Sequence, residues 1–563
     1  MKLISKRFEQ SKCEEVRRWQ YGENWPVVYI IHNSDEAYIG ETTSAFIRMS
    51  THLKDVRRGD FRKIHFIADT DFNKSATLDI ESSLIKFMSA DGKFKLQNGN
   101  GGIQSHNYYH KDTYKEKFSI IWSLLRELHL AENELINIEN SDIFKYSPYK
   151  ALTTDQYFVA KSILDDVVQN MVQNVSSVSI VDGGAGTGKT VLGIYLMKLF
   201  VDLVNVKPEF DDDSHMFIEG IEEVEKLNLK VGLVIPMKSL RKTIKKVFKK
   251  VKGLDDTMVI SPNECVKDDY DLLIVDEAHR LRRRKNLVNY EVFDRNNIML
   301  GLDASGTELD WIIKKSKQQI LFYDSYQTIK PTDIRPDRLL FENYNGHVNH
   351  YRLESQLRCL GGNDYVQYIF DLFHENSLTK NTDFGIYDFK LFDDVKKMTD
   401  SIKKLNETHG LCRNVAGYSW KWITKDHPRD FNESGGFLDG SIDILIEDYG
   451  FIWNTKDVDW VNSKNAINEI GCIHTIQGYD LNYTGVIIGN ELRYDKKTKK
   501  IYVDKENYHD INGLNTATKI ELHEYIINIY TTLLTRGIKG TYVYVCDPGL
   551  REHLKKYIKR ANE

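Results

Sequence analysis

Cysteine is scarce in the 563-residue sequence, and its six positions lie far apart. They form no CxxC pair and no spacing that is typical of a zinc site. This pattern argues against a disulfide framework and favours free thiols in a reducing cytosol. We therefore predict no structural metal held by cysteine. The six residues are Cys13, Cys265, Cys359, Cys412, Cys472 and Cys546.

Long apolar runs are also missing. No stretch approaches the roughly eighteen apolar residues that a membrane-spanning helix needs. The first residues, MKLISKRFEQSKCEE, contain no apolar core of a signal peptide. From these absences we expect a cytoplasmic protein with no membrane partner.

The sequence has no excess of positive charge, since its formal net charge is -5. Affinity for nucleic acid without sequence preference scales with the number of phosphates that are neutralised. The charge therefore excludes a chain that binds phosphates over its whole surface, and any nucleic-acid binding must be local. The hydrophobic fraction of 41% and the charged fraction of 28% are those of an ordinary globular protein.

Short apolar runs alternate with helical stretches along most of the chain, with no internal repeat. From about residue 151 the runs SVSIV, VGLVI, DLLIV, QILFY, GVIIG and TYVYVCD follow this order. Such alternation predicts an α/β fold with doubly wound parallel sheets. We predict a small α/β domain over 1–110, a helical connector over 111–150, and two doubly wound domains over 151–350 and 351–563.

The most specific motif is GGAGTGKT at 183–190, between the apolar SVSIV and the helical VLGIYLMKLF. It satisfies G-x-x-x-x-G-K-[ST] in the strand, loop and helix context that phosphate binding needs. Lys189 can reach the β and γ phosphates of ATP, and Thr190 can bind Mg²⁺. The predicted nucleotide-binding residues are Gly183, Gly184, Ala185, Gly186, Thr187, Gly188, Lys189 and Thr190.

A pair of acids follows a second apolar run, DLLIV, in the string DEAH at 276–279. An acid at a strand end can hold Mg²⁺ while its neighbour activates the attacking water. We predict that Asp276 is the metal ligand and that Glu277 is the catalytic base. A helix N-terminal cap is the alternative role for this string.

With these motifs the chain resembles a superfamily 1 helicase, and more narrowly the bacterial ATPases related to the helicase-like domain of Schlafen proteins. The resemblance covers about residues 150 to 550 and implies two RecA-like domains. By resemblance, Gln156 reads adenine and Gln327 senses the γ phosphate. Gln477 and Gly478, in IHTIQGYD, belong to a late nucleotide-site motif.

The same resemblance implies two arginine fingers, Arg358 in SQLRC and Arg536 in LLTRG. Two arginines from a second domain can complete the phosphate cage when a cleft closes, which couples hydrolysis to domain motion. Without that coupling, they are surface or ion-pair residues. The basic run at 282–285 similarly fits either a nucleic-acid strand or a solvated surface.

The N-terminal unit contains two tyrosine signatures, VVY at 27–29 and YIG at 38–40. An arginine and a histidine follow four residues apart, which places both on one face of a helix. With a later glutamate and asparagine, the order resembles a GIY-YIG nuclease over about residues 26 to 105, although VVY stands where GIY is usual. The implied catalytic residues are Tyr29, Tyr38, Arg48, His52, Glu81 and Asn98.

This second resemblance implies a metal-dependent endonuclease. In it, a tyrosine hydroxyl helps to activate water, Arg48 stabilises charge, and Glu81 binds Mg²⁺ or Mn²⁺. Asn100 is an alternative to Asn98. Outside the family order, the tyrosines are by default half-buried strand residues and Glu81 an exposed helix residue.

Together the motifs predict an ATP-dependent enzyme that processes nucleic acid, with DNA favoured over RNA as its partner. Antiphage defence or restriction follows by analogy alone. One rival is a nucleotide-controlled sensor that gates the nuclease without unwinding. Another is a binding protein with an inactive nuclease fold. A protein partner and a homo-oligomer are left open.

Overall fold

The computed structural model divides into two compact units, which are described separately. The first unit comprises Met1–Val175, Thr190–Leu233 and Lys242–Val259, and the second comprises Ser176–Lys189, Val234–Arg241 and Ile260–Glu563. The residues described are 1–99, 108–184, 186–205, 229–285, 287, 289–324, 332–334, 341, 344–354, 359–374, 382–426, 440–456, 459–476, 479–510 and 518–561.

Strands occur throughout the described residues. They are β1 (Lys2–Arg7), β2 (Val27–His32), β3 (Glu36–Thr42), β4 (Lys63–Ala68), β5 (Lys95–Leu96), β6 (Ser177–Gly183), β7 (Val231–Val234), β8 (Val259–Ile260), β9 (Tyr270–Val275), β10 (Ser316–Tyr323), β11 (His347–Leu353), β12 (Asp388–Phe392), β13 (Arg413–Ala416), β14 (Ile444–Ile446), β15 (Tyr449–Phe451), β16 (Ile470–Cys472), β17 (Leu481–Ile488), β18 (Leu492–Asp495), β19 (Lys500–Val503) and β20 (Gly537–Val545).

Helices connect most of these strands. They are α1 (Cys13–Arg17), α2 (Ala45–His52), α3 (Lys74–Asp91), α4 (Lys111–Glu127), α5 (Leu135–Glu139), α6 (Asp142–Lys145), α7 (Thr154–Gln173), α8 (Lys189–Asn205), α9 (Lys238–Phe248), α10 (Pro262–Cys265), α11 (Tyr290–Met299), α12 (Glu308–Lys315), α13 (Gly362–Phe373), α14 (Val395–His409), α15 (Ile473–Ile476), α16 (Lys519–Leu534) and α17 (Pro548–Leu554).

The first unit contains a five-stranded sheet in the order β1-β4-β2-β3-β5. All its pairings are antiparallel except that of β3 with β5. The central strand β2 is buried at every position, which explains the uninterrupted apolar run VVYII. The runs VVYII and AYIG are thus confirmed as β2 and β3. The sequence pattern did not predict β4, which pairs with β2, or β1, which pairs with β4.

Parallel strands form the first sheet of the second unit. In the order β11-β6-β10-β9, each neighbouring pair is parallel. The apolar runs SVSIV, DLLIV and QILFY lie in β6, β9 and β10, and the α/β class with parallel sheets is confirmed. Since parallel strands end at one edge, the residues that follow these three strands lie together.

A second parallel sheet in the same unit has the order β12-β20-β17-β13-β16. Its core includes the fully buried Trp460 and the apolar runs of β17 and β20. A neighbouring cluster contains the fully buried Trp453. These tryptophans pack in the core, which excludes them as surfaces on which bases stack.

The described residues can also be compared with the predictions on cysteines, membrane-spanning helices and metal ligands. Cys13, Cys265, Cys412 and Cys472 are buried free thiols. Within the described part of the chain, no helix is long and apolar enough to cross a membrane. In that same part, no three His, Cys, Asp or Glu side chains are grouped so that they could hold a metal ion.

One glycine fixes how closely β2 and β3 approach. Gly40 stands opposite Tyr29 in the register, and a Cβ atom there would lie 2.1 Å from Tyr29 Oη and 2.3 Å from Tyr29 Cζ. Tyr29 is fully buried, so its ring has no free space to move into. The last residue of YIG is therefore glycine because the tyrosine of the neighbouring strand occupies the space of a side chain.

We expect Gly40→Ala to destabilise the sheet by about 1 to 3 kcal/mol through overpacking. Native-state hydrogen exchange of peptides from β2 and β3 measures this loss locally. Gly59→Ala is the matched control, because its Cβ would meet only the Val56 carbonyl oxygen, at 3.4 Å. Equal exchange rates in the two variants would contradict this account of Gly40.

Candidate functional site

The glycine-rich loop connects β6, which ends at Gly183, to α8, which begins at Lys189. Gly186 has φ 87° and Gly188 has φ 81°, in the left-handed region that favours glycine. Thr187 Oγ1 donates to the Gly184 carbonyl at 3.0 Å and closes the loop. The loop and the N-terminus of α8 thus have the form that binds phosphate oxygens.

Lys189 is held inside this loop. Its ammonium donates to the carbonyl oxygens of Gly183 at 2.5 Å and Gly184 at 2.9 Å. It also donates to Asp324 Oδ2 at 2.9 Å, immediately after the end of β10. Lys189 is 6% exposed and Asp324 is 1% exposed, so the pair is buried.

The two acids of DEAH follow β9. Asp276 is buried, and its backbone N–H donates to the Val234 carbonyl at 3.0 Å. Glu277 has φ 53°, a strained conformation for a residue other than glycine. It occupies the N-cap of a 3₁₀ turn, but its side chain makes no capping hydrogen bond, so capping does not account for it.

Glu277 lies in a cationic environment. Its Oε2 atom is 3.0 Å from His279 Nε2 and 3.8 Å from Arg280 Nε. Burial by itself would raise the pKa of Glu277, but His279, Arg280 and Lys189 together hold that pKa well below its ordinary value. Glu277 is therefore an ionised carboxylate at neutral pH and is able to accept hydrogen bonds.

Two further predicted residues have structural partners. Gln156 forms a capping box at the start of α7, where its Oε1 accepts the Thr153 N–H at 3.2 Å. Arg536 is 3% exposed between α16 and β20, and its carbonyl accepts the Leu481 N–H at 3.3 Å. This last contact joins the segment that follows the late motif IHTIQGYD to LLTRG.

Several predicted residues lie outside the described residues, and their positions are not given. They are Ala185, Gln327, Arg358, Gln477, Gly478 and the alternative asparagine, Asn100.

In the first unit, three predicted residues meet at one hydroxyl. Arg48 Nε donates to Tyr29 Oη at 2.9 Å, and His52 Nε2 lies 2.8 Å from the same oxygen. Arg48 and His52 share a face of α2, as their spacing predicted. Because arginine can only donate, Tyr29 Oη accepts from Arg48 and can donate its own hydrogen to a lone pair on His52 Nε2.

Tyr29 is fully buried, and this determines its protonation. Burial, then the neighbouring Tyr38, raises the pKa of Tyr29 well above its ordinary value, and Arg48 opposes this. The negative charge of Glu81 on α3 raises it further. Tyr29 is therefore a neutral phenol at neutral pH.

Tyr38 completes an aromatic cluster with Tyr29 and His52. Its ring centroid lies 6.2 Å from that of Tyr29 and 5.4 Å from that of His52. The sequence analysis missed Arg58, whose guanidinium carbon lies 3.5 Å from the Tyr38 ring centroid. Arg58 is 3% exposed, and its Nε lies 3.3 Å from Asp55 Oδ2. No spacing in the sequence pointed to Arg58, because its contact with the Tyr38 ring depends on the fold.

The side chain of Asn98 forms hydrogen bonds with the backbone of Ile39. Its Oδ1 accepts the Ile39 N–H at 3.0 Å, and its Nδ2 donates to the Ile39 carbonyl at 2.7 Å. The ladder between β5 and β3 ends at Leu96 and Ala37, so this side chain continues the pairing where β5 has ended. Asn98 thereby fixes the strand between Tyr38 and Gly40.

The two carboxylates that are predicted to bind a metal ion are Glu81 and Asp276. Glu81 is partly exposed on α3, and it follows the buried Thr77 by about one helical turn. One carboxylate with water and substrate phosphate oxygens is a usual binding mode for Mg²⁺. In the second unit, Asp276 is likewise a single carboxylate beside a phosphate-binding loop. An ion at either carboxylate would therefore take most of its ligands from water and substrate phosphate oxygens.

Two arginines of the basic run at 282–285 form ion pairs within the protein. Arg282 donates to the buried Glu308 through Nε at 2.8 Å and Nη2 at 2.6 Å. Arg284 donates to Asp294 through Nε at 2.6 Å and Nη2 at 2.9 Å. These two arginines hold the fold together and offer less charge to a nucleic-acid strand than the sequence suggested.

Two solved structures are distantly similar to this chain. A chain from a study of DNA unwinding at forked double-stranded DNA by two Pif1 helicases is 11% identical, with a TM-score of 0.25, and the match covers 68% of this chain and 91% of that one. AMPPCP-bound DnaA from Aquifex aeolicus is 16% identical, with a TM-score of 0.20, over 47% and 67% of the two chains. TM-scores this low do not establish a shared fold.

Comparison of sequences is more informative. The chain is 26% identical over 452 residues to the uncharacterized protein YPL245W of Saccharomyces cerevisiae, which covers 73% of this chain and 91% of the yeast protein. The family model described as Schlafen group 3, DNA/RNA helicase domain, matches residues 176–547. The match begins at the first residue of the second unit, Ser176, and spans the glycine-rich loop, the DEAH acids and both parallel sheets. Because this match exceeds half of the chain, the protein belongs to the Schlafen group 3 family and carries its DNA/RNA helicase domain.

Proposed function

We propose that the chain is an ATP-dependent enzyme that joins a superfamily 1 helicase or translocase motor to a metal-dependent GIY-YIG endonuclease. The observation that supports it best is the hydrogen-bonded set of Tyr29, Arg48 and His52. The sequence predicted these residues for one reaction, and they meet at one atom. The motor rests on the loop of Lys189 and on the family to which the chain belongs.

The proposed motor chemistry uses the edge where β6 and β9 end. The loop's backbone and Lys189 bind the phosphates, and Glu277 orients the attacking water through its ionised carboxylate. A Mg²⁺ ion at Asp276 and Thr190 would neutralise phosphate charge as it develops. Arg536 and Arg358 are the proposed arginine fingers, and Gln327 the proposed sensor of the γ phosphate.

Lys189→Ala should abolish ATP turnover, because the cation on the β and γ phosphates is lost. Glu277→Gln should still bind ATP but hydrolyse it about 100-fold more slowly, since it retains the shape and loses the charge that orients water. Phosphate release and equilibrium nucleotide binding measure the two effects. Lys317→Ala, which changes an exposed lysine of β10, is the control. ATP turnover at the wild-type rate in the Lys189→Ala protein would contradict the motor assignment.

The proposed nuclease chemistry follows from the protonation of Tyr29. A neutral phenol cannot take a proton from water unless it passes its own proton onward, and His52 Nε2 lies within hydrogen-bond distance to receive it. Arg48 holds the tyrosine oxygen and supplies positive charge for the phosphorane. Glu81 would hold a Mg²⁺ or Mn²⁺ ion, which supplies Lewis-acid polarisation of the phosphoryl oxygen.

We expect Glu81→Ala and Arg48→Ala to cut nucleic acid at least about 100-fold more slowly than the wild type. Tyr29→Phe should fold normally and also cut poorly, because only the hydroxyl is removed. Divalent-ion-dependent nicking of plasmid DNA and cleavage of labelled RNA measure this. Tyr109→Phe is the matched control, since Tyr109 is 83% exposed in the same unit.

The nuclease variants should keep their ATPase activity if the two activities are only loosely coupled. A Glu81→Ala protein that nicks DNA or RNA at the wild-type rate would reverse the nuclease proposal. The N-terminal unit would then resemble GIY-YIG nucleases in fold without their chemistry.

A nucleotide-controlled sensor that gates the nuclease without unwinding is the second candidate. The buried ion pair of Lys189 and Asp324 favours this candidate. A phosphate ligand must break that ion pair to reach Lys189, so nucleotide binding would change the contacts of Asp324. A motor and a sensor differ in their response to nucleic acid. A strand bound across a motor favours the closed state that turns over ATP.

Nucleic acid should therefore stimulate the ATPase of a motor, and the stimulation should fade as salt rises. Steady-state turnover with single- and double-stranded DNA and RNA at low and high ionic strength tests this. If none of these ligands changes the rate of ATP turnover at low salt, the result contradicts the helicase proposal and favours the sensor. We propose DNA as the preferred ligand, and antiphage defence or restriction as the setting, by analogy with other fused motors and nucleases.

A further inference from the structure

The ion pair between Lys189 and Asp324 affects how a phosphate can reach the lysine. A lysine ammonium has three hydrogen atoms to donate. Here all three have acceptors within the protein, namely the carbonyl oxygens of Gly183 and Gly184 and the carboxylate of Asp324. A phosphate oxygen can reach this ammonium only by replacing one of them.

Asp324 is the acceptor that competes with phosphate. The two carbonyl oxygens are neutral and belong to the same loop as Lys189, so they can stay beside it when it turns. Asp324 instead pairs with Lys189 through a carboxylate, directly after the end of another strand, β10, and it is 1% exposed. A nucleotide phosphate would place further negative charge beside this carboxylate. In a buried site, where the effective dielectric constant is low, such a like-charge approach is strongly unfavourable.

A second carboxylate strengthens this competition. Asp182 stands beside Tyr323 in the parallel register of β6 and β10, one residue from Asp324 along β10. Burial, and then the charge of Asp324, raises the pKa of Asp182, while Lys189 lowers it. Lys189 therefore supplies part of the positive charge beside both carboxylates, and Arg352 supplies more beside Asp182. When Lys189 turns to a phosphate, they lose part of that charge together.

We propose that Asp324 is a latch on Lys189, a positioning residue that nucleotide must displace and that sets the affinity for nucleotide. The proposal rests on ATP binding by the glycine-rich loop. In the latched state Lys189 is neutralised within the protein. Phosphate binding moves the ammonium from the carboxylate to the β and γ oxygens, and Asp324 separates from the loop. Asp324 thus connects occupation of the loop to the end of β10.

Removing the latch should tighten nucleotide binding. We expect Asp324→Asn to bind a fluorescent, non-hydrolysable ATP analogue about tenfold more tightly than the wild type, and Asp324→Ala at least as tightly. Asp271→Asn is the matched control. It removes the same charge from β9 of the same sheet, where Asp271 lies 3.9 Å from Lys317.

Thermal unfolding provides a readout that does not depend on turnover. Without its carboxylate, Lys189 is a buried cation with only neutral acceptors, so the ligand-free Asp324→Asn protein should melt below the wild type. The analogue should then raise its melting temperature by more than it raises that of the wild type. Equal affinity, or weaker binding, in both folded Asp324 variants would overturn the latch.

A double-mutant cycle separates the latch from simple repulsion. If Asp324 acts by holding Lys189, the gain in affinity from Asp324→Asn should disappear in a Lys189→Ala background. A gain that persists unchanged would mean that Asp324 merely repels phosphate, and the latch would be wrong. Wild-type protein that binds no analogue at all would remove both the latch and the ATP-binding function. Failure of the Asp324 variants alone leaves the ATP-binding function standing.

Discussion

The parallel pairing of β6 with β10 and of β10 with β9 is the constraint on which the nucleotide site depends. Each strand ends at the same edge of the sheet, so the glycine-rich loop, Asp324 and the DEAH acids meet there although they are far apart along the chain. The uninterrupted apolar character of these strands makes this arrangement stable, because both faces of the sheet are covered. The chemistry at the edge is therefore a consequence of the pairing.

Burial controls charge at both candidate sites, but with different outcomes. Glu277 remains ionised because neighbouring cations outweigh the loss of water. Tyr29 remains neutral because burial outweighs the nearby arginine. A carboxylate that accepts hydrogen bonds suits the orientation of water, and a phenol beside a histidine suits proton transfer. The same physical effect thus prepares two groups for different tasks.

Close packing around the aromatic cluster of the first unit limits how its residues can change. Gly40 leaves room for Tyr29, Asn98 fixes the backbone between Tyr38 and Gly40, and Arg58 covers the Tyr38 ring. These contacts hold the two tyrosines in one geometry, and a hydroxyl that has to meet two partners at hydrogen-bond distance requires such support.

Local rules of spacing and composition determined a large part of this protein. The alternation of apolar runs and helical stretches predicted the parallel α/β sheets. The glycine pattern predicted the loop between β6 and α8, and the structure shows Gly186 and Gly188 of this loop in the left-handed conformation. A spacing of four predicted that Arg48 and His52 share a helix face. These predictions succeed because each depends on residues within one element or on directly adjacent ones.

Only the tertiary structure decided which distant residues meet. Asp324 lies 135 residues from Lys189, and their contact follows from the order of strands in the sheet, which no local spacing contains. Asn98 pairs with the backbone of Ile39 because β5 ends two residues before it. Gln156 had a local signal for the capping box, since T-T-D-Q fits that motif, while its reading of adenine stays a prediction. Sequence fixes the periodicity of elements, but partner choice between elements depends on how they pack.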